Sequence, residues 1–369
     1  MQIKERENQI TKKMKEITMG GGKIYLLGAG VLGNRCKEEV GLHGIGIDAF
    51  LVTKNFFEEG KSIDGVPVLC LEDMSEKKKF SSKDLLVVAI RDCDNGVVNR
   101  YRNELSIYKG DCSSYCAIDK KILDYDFLSA HWEEFETLYR ELADDRSRIC
   151  MDAFLNQKIS GKFEYLDQVY DDGQYYDARI VDFSLIEGFV DCGAFDGDSY
   201  LTFREAYRLN AGKEYEGTAY LLEPNADYYQ KMVTNCSHAG KNNIFLQCGA
   251  WHEQDRLFFH LRDASDNMSG MIDHSGTVSI DVNSIDHIVK GQKVDYIKMD
   301  IEGSELNALK GARNTIETCK PILAVCVYHK RDDLLTIPAY IRSICPDYHF
   351  YLRAYSRSCV ELVLYAVCG

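Results

Sequence analysis

Twice along this chain a short apolar run breaks into a glycine-rich turn and continues as a helical pattern. The first passage is Lys23-Ile24-Tyr25-Leu26-Leu27 into Gly28-Ala29-Gly30-Val31-Leu32-Gly33, then a helix to about Val40. The second is Phe189-Val190 into Asp191-Cys192-Gly193-Ala194-Phe195-Asp196-Gly197-Asp198-Ser199, with a helix from Tyr200. A strand, a tight turn and a helix open a parallel sheet, because the helix must cross back over the sheet before the next strand can start. More apolar runs follow each passage: Ile45 to Val52, Val66 to Leu69 and Leu85 to Ile90 after the first; Ala219 to Leu222, Ile244 to Leu246, Tyr296 to Met299 and Ile322 to Val327 after the second. The fold class is therefore α/β with two Rossmann-like units. Tyr348 to Tyr355 and Val360 to Val367, joined by a short polar turn, predict an antiparallel hairpin at the edge of the second sheet.

A chain of 369 residues exceeds what one hydrophobic core usually organises. The expected division is 1–118, a small α/β domain with an N-terminal helix; 119–180, a helical connector with aromatic-rich segments from Phe127 to Leu142 and Arg146 to Asn156; and 181–369, the larger α/β domain. Ile3, Ile10, Met14 and Ile17 share one face of the N-terminal helix, which suits packing or a homodimer contact. The net charge of −14, with no basic run longer than Lys77-Lys78-Lys79, disfavours nucleic acid as a partner. No stretch has the length of a bilayer span, and the first residues carry neither a secretory signal nor an anchor. Fourteen scattered cysteines without a CxxC pair read as reduced thiols, so the expected location is cytoplasmic.

In the second passage the glycines let the backbone approach a ligand, and Glu223 closes the next strand, where a carboxylate can accept both hydroxyls of a ribose. Asp191, Asp196 and Asp198 around the turn would repel a pyrophosphate that a helix N-terminus otherwise attracts. A cationic nucleoside fits better. S-adenosylmethionine has a sulfonium, an amino group and a ribose but no phosphate.

These residues resemble the FkbM-type methyltransferases over roughly Ile180 to Cys368. The cofactor loop resembles Phe189 to Ser199, and the ribose strand end Leu222-Glu223-Pro224-Asn225. The most specific segment is Val294-Asp295-Tyr296-Ile297-Lys298-Met299-Asp300-Ile301-Glu302-Gly303-Ser304-Glu305, continuing to Leu309-Lys310-Gly311-Ala312 and Lys320-Pro321-Ile322. The resemblance implies a class I Rossmann-like methyltransferase fold, S-adenosylmethionine as donor, and a hydroxyl of a sugar, glycan or sugar-linked small molecule as acceptor. The cofactor residues it places are Asp191, Gly193, Ala194, Asp196, Gly197, Asp198, Ser199, Glu223, Pro224, Gly249 and Ala250. Gln174-Tyr175-Tyr176 resembles a short segment that precedes the cofactor loop in larger members, and Tyr175 is expected to cover the cofactor. The acidic residue that many members carry before the fifth-strand His is absent here, where the run is Val325-Cys326-Val327-Tyr328-His329.

Methyl transfer to an alcohol needs alignment and a base. His329, just past the fifth strand, is the expected base, because an unperturbed imidazole is partly neutral at cell pH; Asp300 and Glu302, at the end of the fourth strand, are the other candidates. Asp300 and Glu302 have a plainer reading as a pair stabilising the helix that follows from Ser304. An Asp/Glu/His divalent-metal set is a further option that no spacing motif supports, and no metal is expected.

Gly28, Gly30 and Gly33 satisfy GxGxxG in the right context, but the acid expected some twenty residues on is Asp48, which falls inside an apolar run rather than at its end. The first domain is left with three readings: a nucleotide-sugar or dinucleotide site, no ligand, or a docking and oligomerisation role. A non-catalytic nucleotide-binding or assembly protein remains the alternative to an enzyme for the whole chain.

Overall fold

The computed structural model describes residues 1–90, 100–117, 121–259 and 278–368. Residues 118 to 120, where the first domain was expected to end, lie outside them. The first parallel sheet is built from β1 (Ile24–Leu27), β2 (Ala49–Val52), β3 (Ser62–Ile63), β4 (Val66–Cys70), β5 (Leu85–Val88) and β6 (Ser106–Tyr108), in the order β3-β4-β2-β1-β5-β6. Only β3 runs antiparallel to its neighbour. β1 and β5 are buried along their whole length, as their unbroken apolar sequences require. The N-terminal helix spans Gln9–Met19, later than Ile3, because Asn8 caps it by accepting from Ile10 N.

The second half contains β7 (Gly188–Cys192), β8 (Thr218–Leu222), β9 (Asn243–Leu246), β10 (Gly249–Ala250), β11 (Asp255–Phe259), β12 (Val278–Asn283), β13 (Tyr296–Met299), β14 (Ile322–Cys326), β15 (Tyr348–Ala354) and β16 (Leu362–Cys368). Seven of them form one sheet, β15-β16-β14-β13-β7-β8-β9. Its strands are parallel except β16, which pairs antiparallel with both β14 and β15. This is the doubly wound sheet that the family resemblance implied, closed by the terminal hairpin expected from the two β-rich runs. The strand order reverses between β7 and β13, and the crevice beyond their C-terminal ends is where open α/β sheets take ligands. β10, β12 and β11 make a separate small sheet beside that crevice, which the sequence pattern did not show.

No strand occurs among the described residues of 121–180. The helix Asp145–Ser160 dominates this segment and has apolar residues on all sides, because it is sandwiched between the two halves of the chain. Asp111, from the first half, accepts from Gln157 Nε2 at 2.8 Å and from Cys359 N at 2.7 Å. Arg353 on β15 reaches back to Asp144 and Asp177 at 2.6 and 3.1 Å. These buried polar groups tie the halves into a defined arrangement. No described helix is long and apolar enough to cross a membrane, and the described cysteines are free thiols.

Candidate active site

A cavity of about 530 Å³ opens over the ends of β7, β8, β10 and β13, within the size range of small-molecule sites. Gly193, Asp198, Ser199, Glu223, Pro224, Gly249, Ala250 and Tyr175 line it, as expected from sequence, together with Asp300 and Glu302. Asp191, Ala194, Asp196 and Gly197 do not line it. Asp191 and Ala194 are wholly buried beneath the turn, Gly197 starts the helix Asp198–Ala211 at φ +93°, and Asp196 is half-buried and accepts from Asp198 N.

The cofactor expectation for Asp191 is corrected by its neighbour. β7 and β13 run parallel with Asp191 beside Lys298, and the Lys298 ammonium lies 3.0 Å from Asp191 Oδ1. Ser199 Oγ donates to Asp191 Oδ2 at 2.6 Å. Lys298 is 2% exposed and Asp191 0%. Lys298 also donates to the carbonyl of Gly193 at 2.7 Å, so the buried pair holds the turn from below. Burial alone would lower the Lys298 pKa, but Asp191 and Asp300 raise it and keep the ammonium charged.

Glu223 takes two backbone donors from the rim. Phe195 N donates to Oε2 at 3.0 Å and Asn225 N to Oε1 at 2.8 Å. Each oxygen keeps a lone pair for a ligand in the cavity it lines. Burial pushes its pKa up to about 7, against the pull of those two donors. The Phe195 and Tyr228 rings pack beside it, tilted by 36° with centroids 4.0 Å apart, and Leu257, Ile280 and Val282 form an apolar wall. Phe195, Tyr228 and the wall were not singled out from sequence, since their contributing segments are far apart in the chain.

At the other end of the cavity Tyr175, left-handed at φ +70°, donates from its hydroxyl to Asp300 Oδ2 at 2.6 Å. Asp300 would be raised by burial, but His329, Lys298 and the Tyr175 hydroxyl hold it below the usual carboxylate range. Glu302, also left-handed at φ +53°, is half exposed on the cavity floor. Burial and the charges of Asp300 and Glu305 push its carboxyl up, opposed by His329.

His329 departs from the expectation of a neutral imidazole facing the crevice. It is 6% exposed and stands behind the cavity wall. Its Nδ1 lies 3.0 Å from Glu305 Oε1, and its Nε2 lies 3.5 Å from Asp300 Oδ1 and 3.6 Å from Glu302 Oε2. Burial works against the imidazolium, yet Glu305, Asp300 and Glu302 together raise its pKa to about 10. A ring so surrounded is a poor base at neutral pH. The helix-stabilising role suggested for Asp300 and Glu302 falls instead to Glu305, whose Oε1 accepts from Ile301 N and Gly303 N at 3.0 and 3.4 Å.

In the GxGxxG turn of the first half, close packing requires glycine at two positions: a Cβ on Gly33 would stand 2.1 Å from the Gly28 carbonyl oxygen and one on Gly28 2.7 Å from the Ala89 carbonyl oxygen, whereas one on Gly30 would meet nothing within 4 Å. Asp48 accepts from Ile24 N at 2.8 Å, at the start of β1, so it sits at the opposite end of the sheet from that turn and cannot meet a ribose there.

Residues 191–359 match the methyltransferase FkbM domain. The crystal structure of methyltransferase FkbM from Methylobacillus flagellatus KT superposes with a TM-score of 0.69 at 24% identity, over 95% of this chain and 92% of that one. The hexuronic acid methyltransferase AglP of Haloferax volcanii is 26% identical over 106 residues, 28% of this chain and 44% of AglP. The chain thus spans less than half the length of that curated relative.

Proposed function

Starting from a chain whose residues 191–359 match the methyltransferase FkbM domain, we propose that it transfers a methyl group from S-adenosylmethionine to a hydroxyl oxygen of a sugar, glycan or sugar-linked small molecule. The observation that carries this reading is Glu223, fixed by two backbone donors, lining the cavity and opposite the Gly193 turn. The donor set suits that cofactor: carboxylates without a free described cation favour a cationic nucleoside over a phosphorylated one. Glu223 would receive the ribose hydroxyls, the backbone at Gly193 would lie against the ligand, and Asp198 and Ser199 would border its charged end. When bound, S-adenosylmethionine supplies an electrophilic methyl on a sulfonium.

The chain's own residues then have to present the acceptor and remove its proton. The described lining at the acceptor end carries Asp300, Glu302 and Glu361, with Gln174 and Tyr175. Lys298, the cation among the described lining residues, is spoken for by Asp191. A neutral hydroxyl meets this wall at lower electrostatic cost than an anionic group does. Glu302, half exposed and free to turn toward the cavity, is the proposed base in place of His329, and Tyr175 holds Asp300 in position beside it. The similarity to AglP, a hexuronic acid methyltransferase by name, supports a sugar acceptor. The chain's division into residues 1–118, 119–180 and 181–369 accompanies this proposal, with the first part serving as a docking unit.

Calorimetry of S-adenosylmethionine with the wild type and Glu223→Ala tests the assignment. Loss of a carboxylate accepting two ligand hydrogen bonds should weaken binding by about 1.5–3 kcal/mol or more. Unchanged affinity in the variant would refute it.

A further inference from the structure

We infer that Asp300, Glu305 and His329 form a divalent-cation site at the acceptor end of the cavity. The inference deepens the proposed function and rests on it for the cation's role, though not for its binding. A carboxylate oxygen from each of the two acids and one ring nitrogen lie within 4.8 Å of one another. Donors on adjacent positions of a small divalent ion with bonds of about 2.1 Å stand about 3–3.5 Å apart, which the Nε2 to Asp300 separation of 3.5 Å already meets. Glu302 Oε2, 3.6 Å from the same nitrogen, stands beside the cluster.

Independent of that spacing, the cluster leaves buried polar atoms unsatisfied. Nε2 of His329 and Oε2 of Glu305 are buried without a hydrogen-bond partner, in residues 6% and 1% exposed. Buried polar atoms without partners are rare in native proteins and commonly mark an ion or water. The charge balance points the same way. Asp300, Glu302, Glu305 and Asp333 surround one histidine. Lys298 is paired with Asp191, and Lys330 donates to the Gly303 carbonyl. A divalent cation would offset the excess negative charge.

Two carboxylates and one imidazole suit Mn²⁺ or Mg²⁺ with coordination positions left for water or the acceptor. Such an ion would make a hydroxyl bound there more acidic, and Glu302 would take its proton as the oxygen takes the methyl from the sulfonium, whose C–S bond breaks to leave S-adenosylhomocysteine.

Mn²⁺ titration of the full chain, followed by electron paramagnetic resonance of the free ion and by calorimetry, tests the site. One saturable Mn²⁺ per chain is expected. His329→Gln, Asp300→Asn and Glu305→Gln should each weaken it at least ~10-fold. Should the histidine variant not fold, Asp300→Asn carries the test, with S-adenosylmethionine binding as the check of folding. No saturable uptake at millimolar Mn²⁺, or uptake indifferent to these substitutions, overturns the inference. Methyl transfer that persists in chelator without Mn²⁺ binding would sink the cation site and leave the methyltransferase reading standing. Mn²⁺ binding without S-adenosylmethionine binding would do the reverse.

Discussion

Gly193 lies against the carbonyl of Asp300: a Cβ on Gly193 would stand 2.0 Å from that oxygen. The turn that borders the cofactor end of the cavity and the strand end that carries the acidic cluster are thus in direct backbone contact. Neither can move without displacing the other.

Gly193→Ala should therefore damage both at once. The residue has φ +77°, and its side chain would meet backbone that cannot rotate away. The left-handed conformation alone costs about 1–3 kcal/mol, and the overlap adds to it. Denaturant unfolding should show a loss of at least that size, with S-adenosylmethionine affinity falling in parallel. Wild-type stability and affinity in the variant would mean that the turn and strand end are not so tightly apposed.

Lys298→Met leaves the Asp191 carboxylate buried without its partner. Breaking a buried pair this way costs about 3–5 kcal/mol. Removing both charges, as in Lys298→Met with Asp191→Asn, should recover a large part of the loss. A single-variant midpoint indistinguishable from wild type would show that the pair contributes nothing to holding the turn.

Cofactor affinity should depend on pH through Glu223. Burial raises its pKa to about 7 in the free protein, whereas ribose hydroxyls donating to it favour the ionised form. Binding then lowers the pKa and releases a proton, so affinity rises as pH increases from 6 toward 8 and levels off above the free-state value. The same raised pKa makes the ionised group destabilising: between the unfolded carboxylate pKa and about 7 the native state holds the extra proton, and stability falls as pH rises. Calorimetry in buffers of different ionisation enthalpy measures the proton release directly. A pH-independent affinity, or no buffer dependence at pH 6, would contradict it, and Glu223→Gln should abolish both effects.

Glu302→Gln should separate chemistry from binding. Turnover is expected to fall by about 10²–10⁴-fold, the contribution of a positioned base, while S-adenosylmethionine affinity stays within a small factor. Turnover within twofold of wild type would remove Glu302 from proton transfer.

Much of this was legible in the sequence, for identifiable reasons. β13 coincides with Tyr296 to Met299, apolar but for Lys298, and β16 begins within the run that opens at Val360, because strands buried on both faces are largely apolar. Glu223, Gly193 and Gly249 were placed at the cavity by their positions at strand ends. Lys298 was overlooked although its signal was present: a lysine inside a buried four-residue strand has to find an anion, and the parallel register supplies Asp191. The setting of His329 was not legible, because its charge state depends on Glu305, which reaches it from another segment. The small sheet of β10, β11 and β12 escaped notice because β10 has two residues and its partners are far apart in the chain.

The most direct test of the whole account is a methyl-transfer assay with S-adenosylmethionine and a panel of saccharides and glycosides, reading both S-adenosylhomocysteine and the methylated product. The account predicts equimolar S-adenosylhomocysteine and a methyl ether on a hydroxyl of at least one sugar acceptor, lost in Glu223→Ala and strongly reduced in Glu302→Gln. Tight S-adenosylmethionine binding with no methyl ether formed on any hydroxyl acceptor would contradict it and leave a protein that binds the nucleoside without using it.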